Sequence, residues 1–570
     1  MGSLLRVAFL GTALLAGSAL AQGQIVIING DPAGQGFNDP TPAVPVGGNT
    51  GTTLGQQRLQ VFETAASIWE ATLKPTTDIR VLATFEPLGT NVLGSAGTLF
   101  IYRDFPGAEL PNTWYHVALA NQLSGVDLAV AETGDPSVPH IRARFSSQFA
   151  FYFGLDNNEP AGTVDLLPVL LHELGHGLGF ANFANEATGT LADNRPDIYS
   201  QYTLDTTTGK IWNQMTDAER QASAIRAGKI VWSGVNVARD VPKVLLPGEP
   251  SVTISSPAGV GPFLAGTASF GPALTPAGVS GQIVLAVDPT DAANGANPND
   301  ACGALTNGAE VAGKIAVVDR GTCTFVVKVK NAQNAGAIAV IVADNALGDP
   351  PAALGGTDPT ILIPAVRITV QNGAELKAAL ASGPVTGNVG LDTSILAGTD
   401  RTLGLMKVAA LNPVAPGSSI SHYDSTAFPN QLMEPAINSD LTKVVVPPAD
   451  LTTSLFTDIG WFSDGDGVPD GVDACIGSPR SATVEIGSCV SKAPNTVFFN
   501  GCRIADLVDD CRGRNGRYGE HFEECVERLA ERLQRLHILT KQQAKSLEKC
   551  AERASEDDDH GHGHGRGHDD

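Results

Sequence analysis

The sequence predicts an α+β protein: a twisted sheet with long helices, interrupted by a separate β/α unit and followed by a small disulfide-rich module. Three observations predict this. Leu54, Leu59, Phe62, Ala66, Trp69 and Leu73 recur at helical spacing, and Ile79-Arg80-Val81-Leu82-Ala83-Thr84-Phe85 then reads as a strand. Between residues 313 and 380, strand-like and helix-like runs alternate at the spacing of a βαβ unit, which requires a partly parallel sheet. Six of the eight cysteines fall between 475 and 550.

Residues 1–21 read as a secretory signal peptide, with Arg6, an apolar run to Leu20 and the small-x-small site Ala19-Leu20-Ala21. The mature chain is expected to start near Gln22 and to be secreted. No later stretch is long and apolar enough to span a bilayer, so no integral membrane segment is expected. The remaining chain of about 550 residues exceeds one core, and two to four domains are expected. The net charge of −23, from 37 basic and 60 acidic side chains, argues against nucleic-acid binding. Gly (63) and Pro (36) are abundant, as in loop-rich extracellular proteins.

Residues 22–250 form the first expected unit of the mature chain. Its start, 22–52, is rich in Gly, Pro and Asn and is expected to be partly irregular. Beyond the helix and strand above, strand-like runs lie at Thr98–Tyr102, Asp127–Ala131 and Phe149–Phe153, and Asp217 to Lys229 looks helical.

The stretch that carries chemistry is His172-Glu173-Leu174-Gly175-His176. It reads H-E-x-x-H, and on a helix residues i and i+4 share a face, so both imidazoles can point at one metal ion. Glu173 beside them is placed to act as general base toward a water activated by that metal. The surrounding Leu166, Leu167, Val169, Leu170, Leu171 and Leu174 make a helix, Thr163 or Asp165 can cap it, and Pro168 falls in its first turn. Gly179 suits its C-terminal stop. The competing reading is a buried amphipathic helix with two satisfied histidines.

Residues 251–395 change in texture. Strands are expected at Gly313–Asp319, Ala337–Val342 and Ile361–Val366, and helices at Phe325–Ala335 and Gln371–Leu380. This segment resembles a protease-associated (PA) domain. The carrying residues are Ala301-Cys302-Gly303, Gly313-Lys-Ile-Ala-Val-Val-Asp-Arg-Gly-Thr-Cys323-Thr-Phe325 and Lys328-Val-Lys-Asn-Ala-Gln-Asn-Ala-Gly-Ala337. Such domains are non-catalytic lids or docking modules of secreted or membrane proteases, and the resemblance implies a Cys302–Cys323 disulfide. Arg320 reads equally as a functional group or an ion-pair partner.

Zinc needs a third protein ligand and an open position. The compact pattern H-E-x-x-H-x-x-G-x-x-H is followed through Gly179 and then breaks at Asn182, a poor zinc ligand. Glu186 lies ten residues beyond His176 on a Gly/Thr-rich stretch unsuited to a second helix. A more distant histidine, in Ser421-His422-Tyr423-Asp424-Ser425, precedes Asn430-Gln431-Leu432-Met433-Glu434-Pro435. This arrangement looks like the leishmanolysin-type metzincins, in which the third histidine follows a long insertion. The resemblance implies His422 as the third zinc ligand and Met433 as the Met-turn beneath the metal. It covers 54–182 and 400–461, and 396–462 would be the second part of the catalytic domain. The departure is the insertion itself, 245 residues between His176 and His422. Insertions at surface loops cost little in closure entropy. His116, His140, His521 and His537 compete poorly as ligands.

The implied activity is zinc-dependent hydrolysis of peptide bonds in protein substrates. The alternative is a catalytically inactive secreted binding or adhesion protein that keeps the fold, against which the intact Glu173 argues; a hydrolase for a non-peptide amide is a third.

At 463–475, Asp464, Asp466, Asp470 and Asp473 form an array resembling a thrombospondin type 3-like repeat, with the hard oxygen shell that Ca2+ takes. The cysteines of 476–554 together with Cys475 allow fifteen pairings, and Glu520–Leu536 and Gln542–Ala551 look helical. Residues 555–570 read as a disordered acidic His/Gly-rich tail.

Overall fold

A computed structural model of the protein describes residues 23–89, 92–290, 296–347, 351, 353–438, 440–462, 475, 478, 481–487, 489–498, 500–512 and 521–560. The expected signal peptide and the expected calcium residues Asp464, Asp466, Asp470 and Asp473 lie outside the described residues.

The N-terminal part contains strands β1 (Ile25–Asn29), β2 (Ile79–Glu86), β3 (Gly94–Thr98) and β4 (Ile141–Ser146), in the spatial order β1-β2-β4-β3. β1, β2 and β4 are parallel, and β3 is an antiparallel edge. Parallel neighbours need a crossover, and helix α1 (Leu54–Leu73) supplies it between β1 and β2. Thr53 starts α1 by accepting a hydrogen bond from the Gln56 amide at 3.2 Å. β2 buries every second residue, the mark of a strand with one face on a core. There Phe62 meets Phe85 and Phe145 edge to face, at 5.8 and 5.0 Å between ring centroids.

The expected α+β subdomain is therefore mixed α/β. β1 lies in the stretch whose composition predicted irregular chain, and its half-buried residues show no alternation. Asp127–Ala131 is not a strand: Asp127 accepts from the Val130 amide at 3.0 Å and caps a short helix, Leu128–Thr133. The strand expected over 149–153 shrinks to Phe151–Tyr152, and the helix expected to reach 229 ends at Ser223.

The inserted unit is an eight-stranded sheet. Its main strands are β5 (Pro247–Ser256), β6 (Val279–Leu285), β7 (Ile315–Asp319), β8 (Ala339–Ala343), β9 (Ala365–Ile368) and β10 (Val385–Leu396), in the order β5-β10-β6-β7-β8-β9. Phe263–Leu264 and Gly266–Thr267 are its two edges. β6 to β9 are parallel neighbours. Two helices lie between or after them, α4 (Phe325–Asn334) and α5 (Val370–Ser382), numbered after α2 (Leu166–Leu178) and α3 (Val235–Val244) of the N-terminal part. Pro247 at the start of β5 pairs with Leu396 at the end of β10. The chain thus enters and leaves this unit side by side, which is why a long insertion can sit inside another domain.

After β10 the chain returns to the first part and ends there in helix α6 (Thr452–Asp458). The Asp458 carboxylate accepts from Trp232 Nε1 (2.8 Å), the Asn236 amide (2.8 Å), Asn236 Nδ2 (2.9 Å) and the Val237 amide (3.3 Å). It thereby caps α3 from the other half of the split domain. The C-terminal module has its own apolar core, with Val484, Ile486, Val526 and Leu547. Disulfides Cys475–Cys502, Cys489–Cys550 and Cys511–Cys525 staple it. No helix among the described residues is long and apolar enough to cross a membrane.

Candidate metal centre

α2 is buried along its whole length. Asp165 starts it by accepting from the Leu167 amide at 3.0 Å. Trp69 Nε1 donates to the Leu171 carbonyl (3.2 Å) and Trp461 Nε1 to the Leu178 carbonyl (3.0 Å), so both halves of the split domain grip it. Gly179 ends it in the left-handed region, at φ +142°. The turn that follows brings the Phe180 carbonyl within 2.8 Å of His176 Nδ1.

Each of the three histidines has its Nδ1 on a backbone carbonyl: His172 on Leu432 (2.7 Å), His176 on Phe180 (2.8 Å) and His422 on Ser418 (2.9 Å). A carbonyl only accepts, so each Nδ1 carries the proton and each Nε2 a bare lone pair. Those Nε2 atoms converge at 3.1 Å (His172 to His176), 3.1 Å (His176 to His422) and 3.2 Å (His172 to His422). Three lone pairs face one another with no proton between them, an arrangement that a cation resolves. A tetrahedral zinc with Zn–N of about 2.0–2.1 Å would space its nitrogens by roughly 3.3–3.4 Å. Burial, the largest cause, lowers the imidazole pKa values to about 4 for His172, about 3 for His176 and well below the ordinary value for His422. All three are neutral and ligand-ready near pH 7. The donor set fits zinc, and these three residues are the only such cluster among the described residues.

Glu173 is buried on the same turn, and burial pushes its carboxyl up to about 7, while the Ala96 amide of β3 donates to it and pulls the other way. A Cβ on Gly94 would stand 3.1 Å from Glu173 Cγ, so glycine there lets the edge strand come up to the helix. Met433 lies buried under α2: a Cβ on Gly175 would be 2.8 Å from its Sδ. The turn holding Met433 also presents the Leu432 carbonyl to His172 and the Met433 carbonyl to the Tyr423 amide (2.8 Å).

The turn before His422 is unusual. Ile420 sits at φ +67°, a region that β-branched residues avoid. Its amide donates to the Ala409 carbonyl (2.7 Å), and its carbonyl accepts from Tyr199 Oη (2.9 Å). Asn182, where the compact pattern would carry a histidine, donates through Nδ2 to Ser421 Oγ (3.1 Å) and to Glu186 Oε1 (3.0 Å). It braces the residue next to His422. Sequence reasoning set Asn182 and Glu186 aside as ligands and missed this bracing role, for which the break in the pattern was the only signal.

The other expected residues fall elsewhere. His116 is buried against the Phe183 ring at 4.4 Å, and His140 bonds Asp127 and the Arg80 guanidinium. Cys302 and Cys323 form a disulfide, and Arg320 pairs with Asp344 at 3.0 Å.

Residues 279–376 match the PA domain family, and the chain carries that domain. Among curated relatives, the probable lipoprotein aminopeptidase LpqL of Mycobacterium tuberculosis is 37% identical over 114 residues, 20% of this chain and 20% of that one. The minor extracellular protease Vpr of Bacillus subtilis is 36% identical over 76 residues, 13% of this chain and 9% of that one. This chain therefore spans a fifth or less of the length of these relatives. Among solved structures, an aminopeptidase from Aneurinibacillus sp. strain AM-1 is 27% identical, covering 26% of this chain and 31% of that chain with a TM-score of 0.19, too local a likeness to speak for the rest of the fold.

Proposed function

We propose that the protein is a secreted zinc-dependent endopeptidase of the leishmanolysin-like metzincin type, with His172, His176 and His422 as zinc ligands and Glu173 as general base. The observation that carries this reading is the convergence of three proton-free Nε2 atoms with a buried carboxylate beside them.

When bound, zinc supplies Lewis-acid polarisation of a carbonyl oxygen and lowers the pKa of a water toward about 7. Glu173, raised to about 7 by burial, is matched to proton transfer near neutrality. It takes the proton of the attacking water and hands it to the leaving nitrogen, so no residue of the chain becomes acylated. The Ala96 amide holds the carboxylate in place during this exchange. The carbonyls of Leu432, Phe180 and Ser418 fix the imidazole planes, as outer partners of metal-bound histidines do. Met433 forms the apolar floor beneath them.

The PA domain and the printed activities of LpqL and Vpr support peptide substrates. The metzincin assignment rests on His422 and Met433 returning after the insertion. Four disulfides suit an oxidising, extracellular compartment. Structural calcium at Asp464, Asp466, Asp470 and Asp473 remains part of the proposal, on the regularity of those carboxylates.

An endopeptidase ignores the substrate's N-terminus. Casein and an N-acetylated peptide should both be cut internally by the zinc-loaded protein. Release of single residues from free N-termini, with the acetylated peptide untouched, would replace the endopeptidase reading by an aminopeptidase one.

A further inference from the structure

The segment that brings the chain back from the PA domain to the metal centre is Met406–Ala410, whose first three residues form isolated bridges to Thr399, Val231 and Tyr423. On one side it bonds the catalytic core: Trp232 N–H donates to the Met406 carbonyl (2.8 Å) and Val408 N–H to the Ile230 carbonyl (2.8 Å). On the other side it bonds the third-ligand turn: Asp424 N–H donates to the Lys407 carbonyl (3.0 Å), Ala409 N–H to the His422 carbonyl (2.9 Å) and Ile420 N–H to the Ala409 carbonyl (2.7 Å). His422 is thus bonded directly to this segment through its backbone carbonyl.

The Lys407 side chain does not point to solvent. Its Nζ is 3.0 Å from Glu249 Oε1, with the two side chains 3% and 1% exposed. Glu249 lies on β5, the first strand of the PA sheet, directly opposite Asp392 on β10. Like charges facing each other across a ladder repel, and cations relieve this pair: Arg401 Nε lies 2.6 Å from Glu249 Oε2, and an Arg401 guanidinium nitrogen 3.3 Å from Asp392 Oδ2.

We propose that the Glu249–Lys407 ion pair is a positioning device that fixes the root of the PA domain to the third-ligand turn, so that zinc affinity depends on how the PA domain is seated. A buried ion pair adds little net stability over an apolar pair, but it is directional, and removing one partner strands a buried charge. Glu249 is held by the PA ladder; Lys407 is one backbone hydrogen bond from Asp424 and two residues from Ala409, which bonds His422. A shift of β5 is therefore passed to an imidazole that must hold its Nε2 at 3.1–3.2 Å from two others. Glu249 and Lys407 are positioning residues, acting through the backbone of the third-ligand turn. This inference rests on the zinc reading above.

The test is zinc affinity of the full chain, measured by competition with a chromophoric chelator, together with the visible spectrum of the cobalt(II)-loaded protein. Lys407→Met should bind zinc about 10-fold more weakly or worse, the range seen when outer partners of metal ligands are lost, and should change the cobalt spectrum. Lys407→Arg, which keeps the charge, should recover most of both. Glu249→Asp, one methylene shorter, should show a smaller loss in the same direction and serves if Lys407→Met does not fold. Arg401→Ala, which removes only the outer part of the network, should bind zinc as the wild type does. Wild-type zinc affinity and cobalt spectrum in folded Lys407→Met and Glu249→Asp would overturn the proposal. Zinc binding by the wild type that is indifferent to His422→Ala would overturn the zinc reading itself, and this inference with it.

Discussion

The PA domain is contiguous: β6 to β9 follow one another along the chain, and its disulfide joins cysteines 21 residues apart. The metal centre joins His172 to His422, residues 250 apart, across that same domain. Local order makes the first readable and the second dependent on long-range packing. Damage should differ accordingly: a fault in the PA domain should stay in it unless it reaches β5 or β10, whereas the centre should fail from either half of the split domain.

His422→Ala is the strongest way to break the comparison. Losing outer partners alone weakens metal binding 10- to 100-fold, so losing a ligand should lower zinc affinity by more than about 100-fold and abolish hydrolysis, read by metal content after dialysis. Next, Asp458→Ala leaves four donors without their acceptor and should destabilise the split domain by about 3 kcal/mol, read by denaturant unfolding. Replacing Cys302 and Cys323 by serine should lower PA-domain stability by a similar amount, about 3 kcal/mol for a loop of that length, yet leave zinc bound while the domain stays folded. Loss of zinc at that point would merge the two regions.

Glu434 sharpens the comparison through pH. It lies buried behind Met433, where burial first, then Asp424, Asp440 and Asp450, push its carboxyl from an ordinary 4.5 up to about 9. The folded protein therefore favours the protonated form. Its stabilisation is complete below about pH 4.5 and is lost as pH rises through about 9. The melting temperature should fall between about pH 5 and 9, and Glu434→Gln should flatten that fall. The smallest effect is expected of Gly175→Ala. Helix propensity favours alanine by about 1 kcal/mol, while crowding of Met433 opposes it by about 1–3 kcal/mol, so a net loss of about 0–2 kcal/mol in thermal unfolding is expected.

Much of the PA domain could be read from the chain because its strands are continuous apolar runs and its helices amphipathic. α1 was equally legible from its long helical period, and α2 from its apolar run, its cap and its glycine stop. β1 was not: two-sided partial burial leaves no alternation. The helix after Asp127 reads as a strand because six residues are too few for a helical period, and only the cap distinguishes the two. At the centre, residue chemistry and spacing pointed to His172, Glu173 and His176, and the resemblance to leishmanolysin-type metzincins pointed to His422. The bracing by Asn182 and Ser421, the left-handed Ile420 and the Glu249–Lys407 root were hidden, because each depends on contacts between segments far apart in sequence.

The most direct test pairs metal content with casein hydrolysis for the wild type and Glu173→Ala, both supplied with zinc. One zinc per chain in each protein, with hydrolysis in the wild type and a fall of about 100- to 10,000-fold in the variant, is the predicted result. Undiminished hydrolysis by Glu173→Ala, or a wild type that binds no zinc, would contradict the account.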